Sequence, residues 1–140
     1  MSDVRRRLRH AIDEAKRHAA DRRARVDQAA RTWSERLPDA VVPAVHAVHS
    51  ALAGEGYRFT VSTPGDTAHL ALERSAAEFV EVALDTDRES PAVVLRSTRG
   101  RGRRTVTSER VIAEGTAIAE LSQDAIVDAV IQELVPFIER

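Results

Sequence analysis

No glycine and no proline occurs between Met1 and Leu37. Over residues 3–36 the chain is also rich in Ala, Arg, Glu and Asp, residues that tolerate a helix, and the stretch reads as one long helix. Ser2 or Asp3 can cap its start, where backbone N–H groups lack partners. Four acid-first pairs stand at i,i+4: Asp3/Arg7, Asp13/Arg17, Asp21/Arg25 and Asp27/Arg31. Each is worth roughly 0.2–0.5 kcal/mol in that order. Pro38 is expected to stop the helix, because the residue before a proline is pushed out of the α region.

The length of this helix limits what it can pack on. Thirty-four residues at 1.5 Å rise give about 50 Å. The remaining hundred or so residues make a body about 35 Å across. A straight helix must therefore overhang that body. Leu8, Ile12, Ala15, Ala19, Val26, Ala30 and Trp33 recur at steps of mostly three and four, so they line one side. Arg22 and Arg23 interrupt the stripe, and the Ala15-to-Ala19 step breaks a strict heptad. The expected organisation is a charged arm over residues 1–37, with that stripe as an oligomer interface, and a single α+β domain over residues 38–140.

Within the domain, residues 39–53 read as a second helix, with Asp39 as the cap candidate and Gly54 and Gly56 at its end. From Tyr57 the apolar period changes from 3.6 to 2. Strands are expected at 57–63, around Ala68, Leu70 and Leu72, at 78–85, at 92–99 and at 104–112. Thr63-Pro64-Gly65-Asp66 and Asp85 to Pro91 are turns, and Arg99-Gly100-Arg101-Gly102-Arg103 is a hairpin loop. Short connections between five strands argue for an antiparallel meander. A last helix at 123–138, capped by Ser122, is apolar on more than one side and is expected to be buried against one face of the sheet. Pro136 is expected to bend or fray its last turn.

Charge is the second constraint. The net charge is −1, but residues 1–36 carry 11 basic and 6 acidic side chains, while residues 37–140 carry 10 basic and 16 acidic ones. A basic arm joined to an acidic body attracts its own kind or an anionic partner. With no cysteine, disulfides and thiolate chemistry are excluded. The first residues lack the apolar core of a secretory signal, and no apolar run approaches the ~20 residues that span a bilayer. A cytoplasmic protein with no membrane contact is expected. Lys16 is the only lysine among 21 basic residues, a skew expected of a GC-rich bacterial genome.

Motifs for catalysis, metals or cofactors are not found. His46 and His49 are three apart on one helix and His69 lies on a strand, so a three-histidine zinc site needs their convergence. The spacing is not that of a zinc-binding helix, and surface or boundary positions account for them. Glu78, Glu81, Asp85, Asp87 and Glu89 read as solvated strand-flank and turn residues. No Gly-x-Ser-x-Gly elbow or phosphate loop occurs. The strongest binding candidates are arginines: Arg99, Arg101, Arg103 and Arg104 on one hairpin, and Arg5, Arg6 and Arg7 at the start of the arm. Clustered arginines take phosphates bidentately. With five aromatics, most on core-facing positions, a base-stacking platform is not expected. A hairpin tip charged to protect a sheet edge explains the first cluster equally well.

The expected function is therefore a non-enzymatic interaction or scaffold protein, without a cofactor or metal, that forms a homo-oligomer through its N-terminal helix and takes a protein partner. Nucleic-acid or phosphate binding through the arginines is the first alternative. A small-ligand carrier or enzyme using the open face of the sheet is the second.

Overall fold

The structure, a computed structural model, describes residues Ser2–Glu139, so Met1 and Arg140 of the two expected units lie outside the described residues. Helix α1 spans Ser2–Arg36 and α2 spans Val42–Gly54. The expected stop at Pro38 does not occur. Leu37–Val41 form a π-helical turn, in which the Val42 N–H donates to the Leu37 carbonyl, and helical geometry continues on both sides. In a regular α-turn the proline ring meets the carbonyl four residues back. The widened turn begins beside Pro38 and runs directly into Pro43 at the start of α2, so it lies between the two prolines. Packing holds the turn in place, since Ala40, Val41, Ala44 and Val45 are all buried. Asp39 consequently caps nothing; it faces the Arg36 guanidinium at 3.5 Å.

Helix α2 ends as its glycines predict. Gly56 takes φ of 87°. The Tyr57 N–H reaches back to the Leu52 carbonyl at 2.9 Å and the Gly56 N–H to Ala53 at 3.1 Å. This paired closure satisfies carbonyls that the helix end would otherwise leave open.

Five strands follow: β1 (Phe59–Ser62), β2 (Ala68–Leu72), β3 (Ser75–Asp85), β4 (Ala92–Arg101) and β5 (Arg104–Glu114). They form one antiparallel meander in the order β1-β2-β3-β4-β5. A 3-10 turn, Gly115–Glu120, leads into α3, Gln123–Glu139. Ser122 caps α3 as expected, its hydroxyl accepting the Ala125 N–H at 3.1 Å. The helix runs past Pro136 to Glu139.

Both α2 and α3 lie on the same face of the sheet. The register aligns Phe59, Leu70, Val80, Val82, Val93 and Leu95 on that face, where they join Val45, Val48, Ile126, Val130 and Leu134 in the main core. One polar knot crosses this layer. The Ser97 hydroxyl donates to Glu133 at 2.8 Å, and Arg110 donates to Gln132 and to the Ala129 carbonyl.

The opposite face carries no helix, yet Ala83, Ala92 and Val94 on it are buried. An ion-pair network lies on the same face. Arg88 donates to Asp85 at 3.1 Å and to Glu109 at 2.7 Å, while Arg96 donates to the other Glu109 oxygen at 2.9 Å. Arg96 also stands 3.6 Å from Glu81 and 3.7 Å from Asp85. Thus Asp85 and Glu81, read from sequence as solvated, are members of an ion-pair network. The hydrogen bonds from Arg96 and then Arg88 hold the Glu109 carboxyl below the usual carboxylate range. In return, the Glu109 carboxylate pushes both guanidinium groups further toward the protonated state.

Candidate functional site

The N-terminal part of α1 forms an arm with no buried residue. Every residue from Ser2 to Arg25 is exposed. That is about 36 Å of helix at 1.5 Å per residue. Its charge is as uneven as its burial: residues 2–25 hold nine basic and four acidic side chains. Of the four expected i,i+4 pairs, among the described residues only Asp3–Arg7 closes, at 3.1 Å. Arg31 donates instead to Gln28. Along one side stand Val4, Leu8 and Ile12, at 62%, 59% and 44% exposure. Spaced four apart, they share a stripe with Ala15.

The lower part of the stripe is used by the body itself. Trp33 is 2% exposed, and its indole N–H donates to the Asp66 carbonyl at 2.7 Å, in the β1–β2 turn. Ala29 is buried and Val26 is half-buried. Arg36 donates to the Leu121 carbonyl at 3.1 Å. Of the expected interface residues, Leu8, Ile12, Ala15, Ala19 and Ala30 are therefore exposed, whereas Trp33 belongs to the chain's own core.

A second apolar surface was not foreseen. The outer side of α3 exposes Ile131, Val135 and Ile138 at 49%, 42% and 44%. With Ala47, Ala51 and Val127 they line a groove of about 240 Å³ between α2 and α3. Helix α3 packs on one face of the sheet as expected, burying Ile126, Val130, Leu134 and Phe137, while its outer side stays exposed. The sheet takes one side of α3 and α2 takes part of the next, and among the described residues the third side stays exposed.

The arginine hairpin is tighter than the sequence suggested. Strand pairing continues to Arg101↔Arg104, so the loop is Gly102-Arg103 alone. Gly102 takes φ of 63° while Arg103 does not take positive φ, the arrangement of a hairpin turn led by glycine. Arg101, Arg103 and Arg104 are exposed, and Arg99 is half-buried. Arg103 and Arg104 border an open hollow with Arg74, Ser75 and Thr105. Arg74 escaped the sequence reading, though the meander predicts it: alternate turns fall at the same end of the sheet. Glu78 lies within this hollow, accepting the Gly100 N–H at 2.7 Å. At the start of the arm Arg5, Arg6 and Arg9 flank a shallow surface with Ser2, and Arg7 is held by Asp3.

The histidines do not converge. His49 Nε2 lies 2.9 Å from the Phe59 carbonyl on the helix-covered side. His69 pairs with Glu81 on the opposite face, its ring 4.3 Å from that of Phe79. His46 is exposed. Among the described residues no group of three or more such side chains stands close enough to hold a metal ion. No helix among them is long and apolar enough to cross a membrane. No protein-family model, curated protein or solved structure matches the chain.

Proposed function

We propose that this protein is a non-enzymatic interaction or scaffold protein that self-associates through its N-terminal helix. One observation carries the reading: a helical arm exposed from Ser2 to Arg25 presents Val4, Leu8 and Ile12 on a single side. Scattered exposed apolar residues are ordinary, but an aligned row on an otherwise charged rod is the pattern of a helix that meets another surface. Seating of Trp33 supports the reading further, because it fixes the direction in which the arm leaves the body.

Sedimentation velocity tests it. The full chain is expected to assemble reversibly, and Leu8→Asp/Ile12→Asp in the full chain is expected to sediment as a monomer. A wild-type chain that stays monomeric up to its solubility limit removes the proposal.

A second reading, binding of phosphate groups or nucleic acid, is supported by the meeting of Arg74 with Arg103 and Arg104. Glu78 in the same hollow weighs against it, since a carboxylate repels the anion. A mobility-shift assay at low and moderate salt decides this reading. Binding that survives replacement of Arg74, Arg103 and Arg104 by Ala would clear the hairpin of that role.

A further inference from the structure

Among the described residues two rows of exposed aliphatic side chains stand out, and their surroundings are opposite in charge. The arm row, Val4-Leu8-Ile12, is flanked by Arg5 and Arg7 at helical spacing. The groove row, Ile131-Val135-Ile138, lies on α3, whose 123–139 span contains Asp124, Asp128 and Glu139 besides the sheet-facing Glu133, and no Lys or Arg. Asp128 stands one turn before Ile131 on the same side of the helix, with Asp124 a turn earlier. Helix α2 has no charged Lys, Arg, Asp or Glu, and Glu55 follows it at the edge of the groove.

The arm cannot fill the groove of its own chain. Leu8 lies about 44 Å along α1 from the π-turn and Ala51 about 15 Å beyond it at 1.5 Å per residue, so at any angle between the two helices they stay at least about 20 Å apart. Any arm that reaches a groove comes from another molecule. An aliphatic row with basic flanks fits an aliphatic groove with acidic flanks, whereas two arms laid together bring nine basic residues against nine. We propose that the arm of one copy seats in the α2–α3 groove of a second copy, with Val4, Leu8 and Ile12 against Ile131, Val135 and Ile138. A two-fold exchange uses both patches of both chains and closes the assembly as a dimer. This inference rests on the self-association reading and names the surface that receives the arm.

Because the chain has no cysteine, engineered thiols report contacts without background. Full-length Leu8→Cys and Ile131→Cys proteins are mixed, oxidised gently and digested, and the linked peptides are identified by mass spectrometry. The expected product joins position 8 of one chain to position 131 of the other. Dominant 8-to-8 linkage, with the mixed product missing, would show that arms pair with arms and overturns the inference. Independently, full-length Ile131→Asp/Val135→Asp, substituted at exposed positions and checked for folding by circular dichroism, is expected to weaken assembly at least tenfold. Assembly of that variant at wild-type strength also overturns the inference while leaving self-association standing. A monomeric wild type instead brings down self-association itself.

Discussion

Trp33 is where the helix is fastened to the body, and its replacement has a cost that the structure allows to be worked out. The ring is 2% exposed and beside Ala29, so Trp33→Ala removes a buried aromatic and leaves a cavity, a loss of about 3–5 kcal/mol. Trp33→Phe keeps most of the apolar contact and deletes the indole N–H. Asp66 is exposed, so its carbonyl turns to water, and the loss is that of one hydrogen bond, about 0.5–1.5 kcal/mol, plus a small packing defect. For a chain of 140 residues each kcal/mol lowers Tm by roughly 3–4 °C. Trp33→Ala is therefore expected to melt about 10–20 °C below wild type and Trp33→Phe about 3–6 °C below it. Urea and thermal unfolding followed by far-ultraviolet circular dichroism, at concentrations where the chain is monomeric, measure both. If Trp33→Ala lost less than about 1 kcal/mol, the ring would not be a core residue. The arm would then start at Leu37 and not near Arg25.

Three further outcomes follow from particular contacts. Removing residues 1–25 deletes no buried side chain among the described residues, so the monomer's unfolding free energy is expected to change by no more than about 0.5 kcal/mol. At high protein concentration the full chain should gain stability over the shortened one, since assembly adds to folding by mass action. Arg101 and Arg104 stand directly opposite on β4 and β5, and Arg104→Glu is expected to stabilise the hairpin by about 0.2–1 kcal/mol in chemical denaturation. Glu109 has a lowered pKa in the folded chain, so its contribution is complete above the unfolded value of about 4.3 and disappears as pH falls through the folded value. Glu109→Gln should be less stable than wild type at neutral pH, with the gap between their urea midpoints closing in acid below that value. A gap independent of pH would exclude the ion pairs with Arg88 and Arg96 as its cause.

Much of this architecture is written locally. Val80, Val82 and Leu84 alternate because β3 has one face on the core, and the Ser122 hydroxyl marks the start of α3 through a bond spanning three residues. What escaped depends on partners distant in sequence. Pro38 obeys a rule about an isolated turn, and that rule yields when Ala40, Val41, Ala44 and Val45 pin the chain on both sides of it. Asp85 looked like a turn carboxylate because Glu109, which shares Arg88 and Arg96 with it, is supplied by β5. A shift of one residue in the β4–β5 register would have turned Glu109 to the other face. Likewise, the apolar count of α3 says that the helix avoids water but not which neighbour covers it. Of the candidate site, the stripe at Leu8 and Ile12 was legible from spacing, while the groove at Ile131 and Val135 needed the three-dimensional arrangement of α2 and α3.

The charge division of the chain takes on a sharper meaning once the helix is known to run through Pro38. Residues 2–25 hold an excess of five positive charges and the rest of the chain an excess of six negative ones. In a flexible chain such halves would collapse together and cancel. Here the segment between them has no glycine, and the one proline in it is absorbed without a break, so the arm is held away from the surface that attracts it. Beyond a Debye length of about 8 Å at physiological salt that attraction is screened within the molecule. A second molecule meets no such restraint, because it can bring its acidic face to the arm by diffusion. On the proposed self-association, stiffness would convert an attraction that the chain cannot satisfy alone into one between copies, and association is then expected to weaken as salt is raised. Inserting Gly-Gly-Gly after Arg25 tests this directly. A flexible joint lets the arm approach its own body, and the inserted chain is expected to assemble less tightly than wild type with its apolar stripe intact. Assembly unchanged by the insertion would show that stiffness of the helix plays no part.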